Sequence, residues 1–175
     1  TNLLDAIYYM SMTKSALGIS DSFNFRHGTD AFTISGTYLM QSGLESRFSV
    51  GVKKGEEKKL RCDGKNCRIA EHIGRLPAVF VSPSDISLVS DSPEERRRFI
   101  NSVISQMDQE YMFRLQQYNR LLAQRNAYLR DGVGDMSLLS VIDSKMSTLA
   151  EGIYERRRDF CEPLAAAVND CYHRL

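Results

Sequence analysis

The chain has 175 residues, 42% of them hydrophobic, and a net charge of +1. That length fits one domain, or one compact unit with an appendage. The balanced charge by itself names neither a nucleic acid nor a membrane surface as partner. No window approaches the roughly 18 apolar residues of a membrane span, and no charged-then-apolar leader is visible. Four cysteines are too few for a disulfide scaffold.

The chain opens on TNLLDAIYYM, which reads as a helix over residues 2–12, with Thr1 a good N-cap and Leu3, Leu4, Ile7 and Met10 forming its packing face. A polar connector, TKSALGISDSFNFRHGTD, follows. The period then changes from 3.6 to 2. AFTISGTYLM alternates Phe32 and Ile34, then Tyr38 and Met40; SRFSVGVKK alternates Phe48, Val50 and Val52. KKGEE turns into a third strand, KKLRC, and DGKN turns again into CRI as a short continuation. The pattern is an antiparallel meander with one apolar face. EHIGRL reads as a helical turn, and PAVFVSP, an apolar run between two prolines, as a buried strand.

From SPEERRRFI onward the character is helical. Ser92 is the N-cap, Pro93 sits at N1 and Glu95 at N3 completes a capping box. Apolar residues recur at helical spacing from Phe99 to Leu129, with a break predicted near 105–109, where Asp108 can cap a second segment. DGVGD ends the run, and a second helix follows from Ser137, in which Pro163 starts a new turn or kinks the axis. A short loop between two long amphipathic helices makes them antiparallel neighbours. The predicted architecture is α+β: residues 1–90 a small lobe of helix and antiparallel strands, and residues 91–175 a helical-hairpin arm.

Candidate chemistry is sparse. CDGKNC followed by His72 is a partial C-x4-C-x4-H pattern, but structural zinc takes four ligands with tighter pairs. A hairpin turn and free thiols explain it better. His27, His72 and His173 lie far apart, and no nucleophile–base pair stands out. Asp85 and Asp91 read as turn and capping residues. Basic residues cluster at Arg96, Arg97 and Arg98 and at Arg156, Arg157 and Arg158, with Arg125 and Arg130 near the hairpin tip. Guanidinium forks bind phosphate oxygens bidentately, so these eight arginines are candidate DNA or partner contacts. Each triplet fans about 100° per residue around its helix; for Arg96, Arg97 and Arg98 the pattern alone favours a solvated face with local Arg–Glu pairs, and the other arginines suit simple solubility as well.

Taken together, the stretches TNLLDAIYYMSMTKS, LPAVFVSPSDISLVSDSPEERRRFIN and ISQMDQEYMFRLQQYNRLLAQRN resemble the RecF family, bacterial recombination-repair ATPases of the SMC/ABC-like group. Pro83, Asp85, Leu88, Val89, Ser92, Pro93, Arg96, Arg97, Phe99, Ile100 and Asn101 fit its signature. Asp91 stands where the family usually has Gly, and Ala16, Leu17 and Gly18 stand where it often has an Arg. "Overcoming-lysogenisation" nuclease heads are a rival that SPEERRRF argues against.

The resemblance implies a partial P-loop ATPase head, helix plus meander, carrying a long helical arm. It makes Thr1 the last residue of the phosphate-binding loop, its hydroxyl a Mg²⁺ ligand in the longer parent, and the chain an internal piece without the rest of that loop, the signature helix or Walker B. ATP and Mg²⁺ are then cofactors of the parent, a weak DNA-dependent ATPase. The piece itself has no catalytic residue, no cofactor and no ATPase activity. The implied parent is cytoplasmic and belongs to the SOS response. It dimerises with ATP on DNA at single-strand/double-strand junctions through backbone contacts. It works with RecR and RecO, and indirectly with RecA, in gap repair and replication restart. A rival reading is a non-enzymatic helical arm that binds a protein partner.

Overall fold

The computed structural model describes residues 2–90, 93–132 and 136–174. They fall into two units, Thr1–Val89 and Ser90–Leu175. The first holds α1 (Asn2–Met12) and a four-stranded antiparallel sheet in the order β1-β2-β3-β4. The strands are β1 (Ala31–Leu39), β2 (Glu45–Lys53), β3 (Lys59–Cys62) and β4 (Lys65–Cys67). Period-2 alternation turns Phe32, Ile34 and Tyr38 of β1, Phe48, Val50 and Val52 of β2, and Leu60 of β3 to one face. The register sets Phe32 against Val52 and Ile34 against Val50. Tyr9 and Met10 of α1 complete this core, each 1% exposed. Burial of side chains this size stabilises by about 1.5–3 kcal/mol each.

The β3–β4 connection is a two-residue turn, Asp63 at φ 50° and Gly64 at φ 79°. Positive φ at both positions is the type I′ geometry that matches strand twist, and Asp-Gly is a favoured pair for it. The predicted DGKN turn therefore sits at Asp63–Gly64, and the fourth strand is Lys65–Cys67, two residues before the predicted CRI. Ile69 instead opens a short helix, α2 (Ile69–His72).

Two expectations are overturned. Leu3, Leu4 and Ile7 do not form the packing face of α1; they are 75%, 59% and 47% exposed. Tyr9, Met10, Ser11 and Met12 are all buried, although at 100° per residue they point in every direction. Burial follows position along the helix: its last turn is enclosed and its first two are open. PAVFVSP is no buried strand either. Residues 77–82 join no ladder, and Val79 and Val81 are 67% and 79% exposed. Prolines at both ends leave ladder donors missing; the segment is held through Phe80, whose ring meets Tyr8 edge-on at 5.8 Å.

A 3-10 turn (Pro83–Ile86) and a short α3 (Ser87–Ser90) follow. Asp85 has the turn role read from the sequence: its Oδ2 accepts the Ser82 amide at 2.5 Å.

The second unit contains α4 (Pro93–Met107), α5 (Gln109–Arg130) and α6 (Met136–Tyr172). The predicted break is present: α4 stops at Met107 and Asp108 caps α5, its Oδ1 accepting the Tyr111 amide at 3.0 Å. Along α5 and α6, Arg125 meets Asp143, Arg114 meets Gly152 and Tyr111 meets Arg157. Numbers rising against numbers falling make the pair antiparallel, as the short loop implied. Ile104, Tyr111 and Ile153 form the core, flanked by Ile100, Leu115, Tyr118 and Phe160. Helix α6 is assigned unbroken through Pro163. The predicted Ser92 cap and the Gly134 stop signal lie outside the described residues; Gly132, at φ 87°, closes the described end of α5.

Candidate functional sites

In the first unit the best-built feature is the C-terminal end of α1. Four consecutive or near-consecutive residues there each hold a distant segment. The Tyr9 hydroxyl donates to Asp21 Oδ1 at 2.7 Å. The Met10 carbonyl accepts His72 Nε2–H at 2.6 Å. Ser11 Oγ donates to the Leu76 carbonyl at 2.5 Å. The Thr13 carbonyl accepts from Lys58 Nζ at 2.6 Å. Lys58 also pairs with Asp21 Oδ2 at 2.8 Å and lies 5.1 Å from the centre of the Tyr9 ring. Burial, then the bond to Asp21, pushes the Tyr9 hydroxyl well above its usual range, so it stays a donor. The turn after α1 is folded back on the helix: Asp5 accepts Ser15 Oγ at 3.0 Å and the Ala16 amide at 2.7 Å. Thr13, at φ 54°, takes the left-handed conformation that lets the chain reverse.

His72 is fully buried, stacked edge-on against Phe48 at 5.5 Å. With Nε2–H donating to Met10, Nδ1 is an acceptor without a partner among the described residues. Burial pushes its pKa below the ordinary value of 6.5 and keeps the ring neutral. Cys62 and Cys67 are free thiols, and Arg75 Nη1 reaches Cys62 Sγ at 3.5 Å. Burial raises the Cys67 thiol pKa. Among the described residues no three His, Cys, Asp or Glu side chains converge as a metal site. Thr1, the predicted phosphate-loop and Mg²⁺ residue, lies outside the described residues.

In the second unit the candidate arginines are engaged partly along their own helices and partly across to another. Arg97 pairs with Glu94 at 2.7 Å and Arg98 with Glu95 at 3.0 Å, both one turn back on α4. Arg125 crosses to Asp143 at 2.6 Å, Arg130 lies 3.6 Å from Asp131, and Arg158 pairs with Asp159 at 2.9 Å. Arg156 binds Asp108 Oδ2 at 2.8 Å, so that one carboxylate caps α5 and ties it to α6. Arg96 is exposed.

Arg157 is different. It is partly buried, its Nη2 and Nε donate to Asn101 Oδ1 at 2.8 and 3.2 Å, and its Nε reaches the Tyr111 hydroxyl at 3.1 Å. That hydroxyl, on a ring with no exposed surface, donates to the same Asn101 oxygen at 2.5 Å. One residue from each helix thus meets at one point. A groove of about 350 Å³ beside it is lined by Glu94, Arg97, Tyr118, Tyr154 and Arg157. The arginine triplets are therefore not brought together as one patch. Asn101 and Tyr111 appeared in the sequence only as a signature match and an apolar repeat. Asp5, Asp21 and Lys58 carried no local signal, because their partners lie 10 to 45 residues away.

No helix is long and apolar enough to cross a membrane among the described residues. No protein-family model matches the chain. Similar sequences are found among curated proteins named DNA replication and repair protein RecF. The one from Porphyromonas gingivalis is 37% identical over 98% of this chain and 48% of its own length. That from Phocaeicola vulgatus is 40% identical over 91% and 44%. Among solved structures, the recombination mediator RecF with ATP, of the RecFOR pathway, superposes with TM-score 0.87 at 30% identity, over 92% of this chain and 44% of that one. A second RecF structure, with an ATP analogue, gives TM-score 0.87 at 28% identity. The chain spans about half the length of the curated relatives it matches. By sequence along nearly its whole length and by fold, it belongs with the RecF proteins.

Proposed function

We propose that the chain is the scaffold-and-arm portion of a RecF-like, ATP-dependent DNA-binding protein of recombinational repair. Residues 1–90 serve as part of the ATPase head and residues 91–175 as the arm. The observation that carries this reading is the fold match at TM-score 0.87 to RecF with ATP. The open first turn of α1 agrees with it. Leu3 and Leu4 are exposed, and Asp5, the one acidic residue of that turn, is engaged by Ser15 and Ala16. A helix start clear of competing carboxylates suits phosphate oxygens, through free N–H groups and the helix dipole. Thr1 would supply a Mg²⁺-binding hydroxyl there, and bound ATP with Mg²⁺ would supply the charge that bridges two copies.

The 175 residues contain no G-x-x-x-x-G-K-[ST] sequence, and phosphoryl transfer needs that loop together with a metal-binding acid and a water-positioning group. The chain alone is therefore a non-hydrolysing scaffold. A phosphate-release assay on the purified chain, with and without duplex DNA, should stay at background; turnover above it overturns this part of the reading. In the parent, a cytoplasmic protein of the SOS response, the proposed partners are DNA at single-strand/double-strand junctions, a second copy joined through ATP, RecR and RecO, and RecA downstream.

A second reading is favoured by one observation. Arg97, Arg98, Arg125, Arg130, Arg156 and Arg158 are engaged with carboxylates within the arm, and Arg157 with Asn101 and Tyr111. An arm so neutralised suits a protein partner better than a phosphate backbone. Salt dependence separates the two, since phosphate contacts weaken steeply as salt rises.

A further inference from the structure

We propose that the outer face of the four-stranded sheet is a docking surface for the sugar–phosphate backbone of duplex DNA. The proposal rests on the DNA-binding reading above and moves the principal contact from the arm arginines to the sheet. The strand alternation that buries Phe48, Val50, Val52 and Leu60 sends their neighbours to the opposite side. On that side β2 presents Glu45, Arg47, Ser49, Gly51 and Lys53, and β3 presents Lys59 and Arg61. β1 adds Thr33, Ser35 and Thr37, paired with Gly51, Ser49 and Arg47.

The register places the cations close together. Arg61 stands opposite Ser49, two residues from Arg47, and Lys59 opposite Gly51, two residues from Lys53. Diagonal cross-strand neighbours of this kind lie about 7–8 Å apart. Lys59 and Arg61 are about 6.8 Å apart along β3, and Arg47 and Lys53 about 20 Å apart along β2. The face is therefore a band of four positive charges about 20 Å long, beside a row of hydroxyls.

Its chemistry selects the partner. Arg47 and Arg61 are exposed, and neither guanidinium makes an ion pair or hydrogen bond among the described residues. Lys53 and Lys59 share a single carboxylate, Glu56, at 2.7 and 3.2 Å. Glu45 at the far end of β2, opposite Leu39, is the only acid within these strands. Arginine, lysine and short hydroxyls are the side chains that contact phosphates. No aromatic ring lies on this side of the strands to stack an unpaired base, the usual platform for single strands. The flat row of Thr, Ser and Gly offers nothing long enough to read a groove. Duplex backbone, without sequence preference, is the occupant that fits.

The test is fluorescence anisotropy of the 175-residue chain with a labelled random-sequence duplex, at 50 and 200 mM salt. Circular dichroism melts would confirm that each variant is folded. If all four cations contact phosphates, the log–log salt slope is about −3.6, a roughly 150-fold loss of affinity over this interval. Arg47→Ala with Arg61→Ala should bring the slope to about −1.8 and the loss to about 12-fold. The comparison variant is Arg98→Ala with Arg130→Ala on the arm, which should bind like the parent chain. Loss of binding in the arm variant, with the sheet variant unchanged, overturns this proposal and leaves DNA binding standing. No binding by the parent chain at 50 mM salt, with the fold intact, overturns both. Polyglutamate competing as well as duplex at equal charge assigns the face to an acidic protein and overturns the proposal as well.

Discussion

Asn101→Ala tests whether Arg157 is a structural residue. The Asn101 oxygen accepts three bonds: two from Arg157 at 2.8 and 3.2 Å, and one from the Tyr111 hydroxyl at 2.5 Å. Truncation strands a hydroxyl on a ring with no exposed surface and strips a partly buried guanidinium of its main acceptor. An unsatisfied buried donor costs about 1–3 kcal/mol, and a charged one more. Arg157 retains some contact with water, so its share is discounted, and the sum comes to about 2–4 kcal/mol. Tyr111→Phe is milder. It removes one donor, leaves Arg157 on Asn101, and should cost about 1 kcal/mol. At about 4–8 °C per kcal/mol for a unit of this size, Asn101→Ala should lower its melting temperature by about 8–32 °C. The assay is thermal denaturation of the 175-residue chain followed by circular dichroism, with the double variant closing a cycle. Equal costs for the two single variants would refute the shared-acceptor reasoning. So would an Arg157→Ala variant that melts like the parent chain yet loses DNA affinity, for then Arg157 serves a ligand and not the fold.

Two further outcomes follow from the packing. Burial holds the His72 pKa below 6.5 in the folded chain, so the unfolded chain binds the proton first as pH falls. Stability is full above about pH 6.5 and declines below it toward the folded value; urea titrations across pH 5–8 should show this, and His72→Gln should flatten it. If His72→Gln keeps the parent's slope, the decline originates elsewhere. At Gly152 a methyl group would meet Arg114 Nη1 at 2.0 Å, which forces that flexible side chain aside. Replacing a helical Gly by Ala otherwise stabilises by about 1 kcal/mol. Gly152→Ala should therefore be nearly neutral in the parent chain and clearly stabilising in an Arg114→Ala background; equal effects in both would show that the contact carries no energy.

The features legible in the sequence were those whose cause is local. Pro93 and Asp108 mark helix starts because the first helical residue and the N-cap have chemical requirements met within one turn. Asp63-Gly64 marks a turn because positive φ restricts the residues that can occupy it. Phe48, Val50 and Val52 mark a strand by period alone. The errors lie where the decision belongs to distant neighbours. PAVFVSP has the composition of a buried strand, yet a ladder needs an adjacent strand, and its composition cannot supply one. Leu3, Leu4 and Ile7 obey helical spacing, but the sheet engages the last turn of α1. The local pairs of the arginine triplets, Arg97 with Glu94 and Arg98 with Glu95, were legible one turn back on the same helix, whereas the Asp108 partner of Arg156 and the Asn101 oxygen 56 residues from Arg157 depend on how three helices meet.

What the sequence hid at α1 bears most on the proposed mechanism. Tyr9, Met10, Ser11 and Thr13 are each bonded to a different part of the first unit: Asp21, His72, Leu76 and Lys58. A helix of 11 residues is about 16 Å long, and all of this fixation sits at one end. Four bonds to separate segments resist rotation as well as translation, since turning the helix would break bonds on several sides at once. The first turn is then rigidly presented although nothing described covers it. A site for phosphate needs this combination: N–H groups aimed at fixed points, with no reorganisation when charge arrives. In the proposed reading the meander does not touch the nucleotide. It holds the far end of the helix that does, and on its other face it presents Arg47 and Arg61 to DNA. Lys58, in the β2–β3 connection, lies 5.1 Å from the centre of the Tyr9 ring, so the fixed end of α1 and the hairpin that carries the cations are braced together.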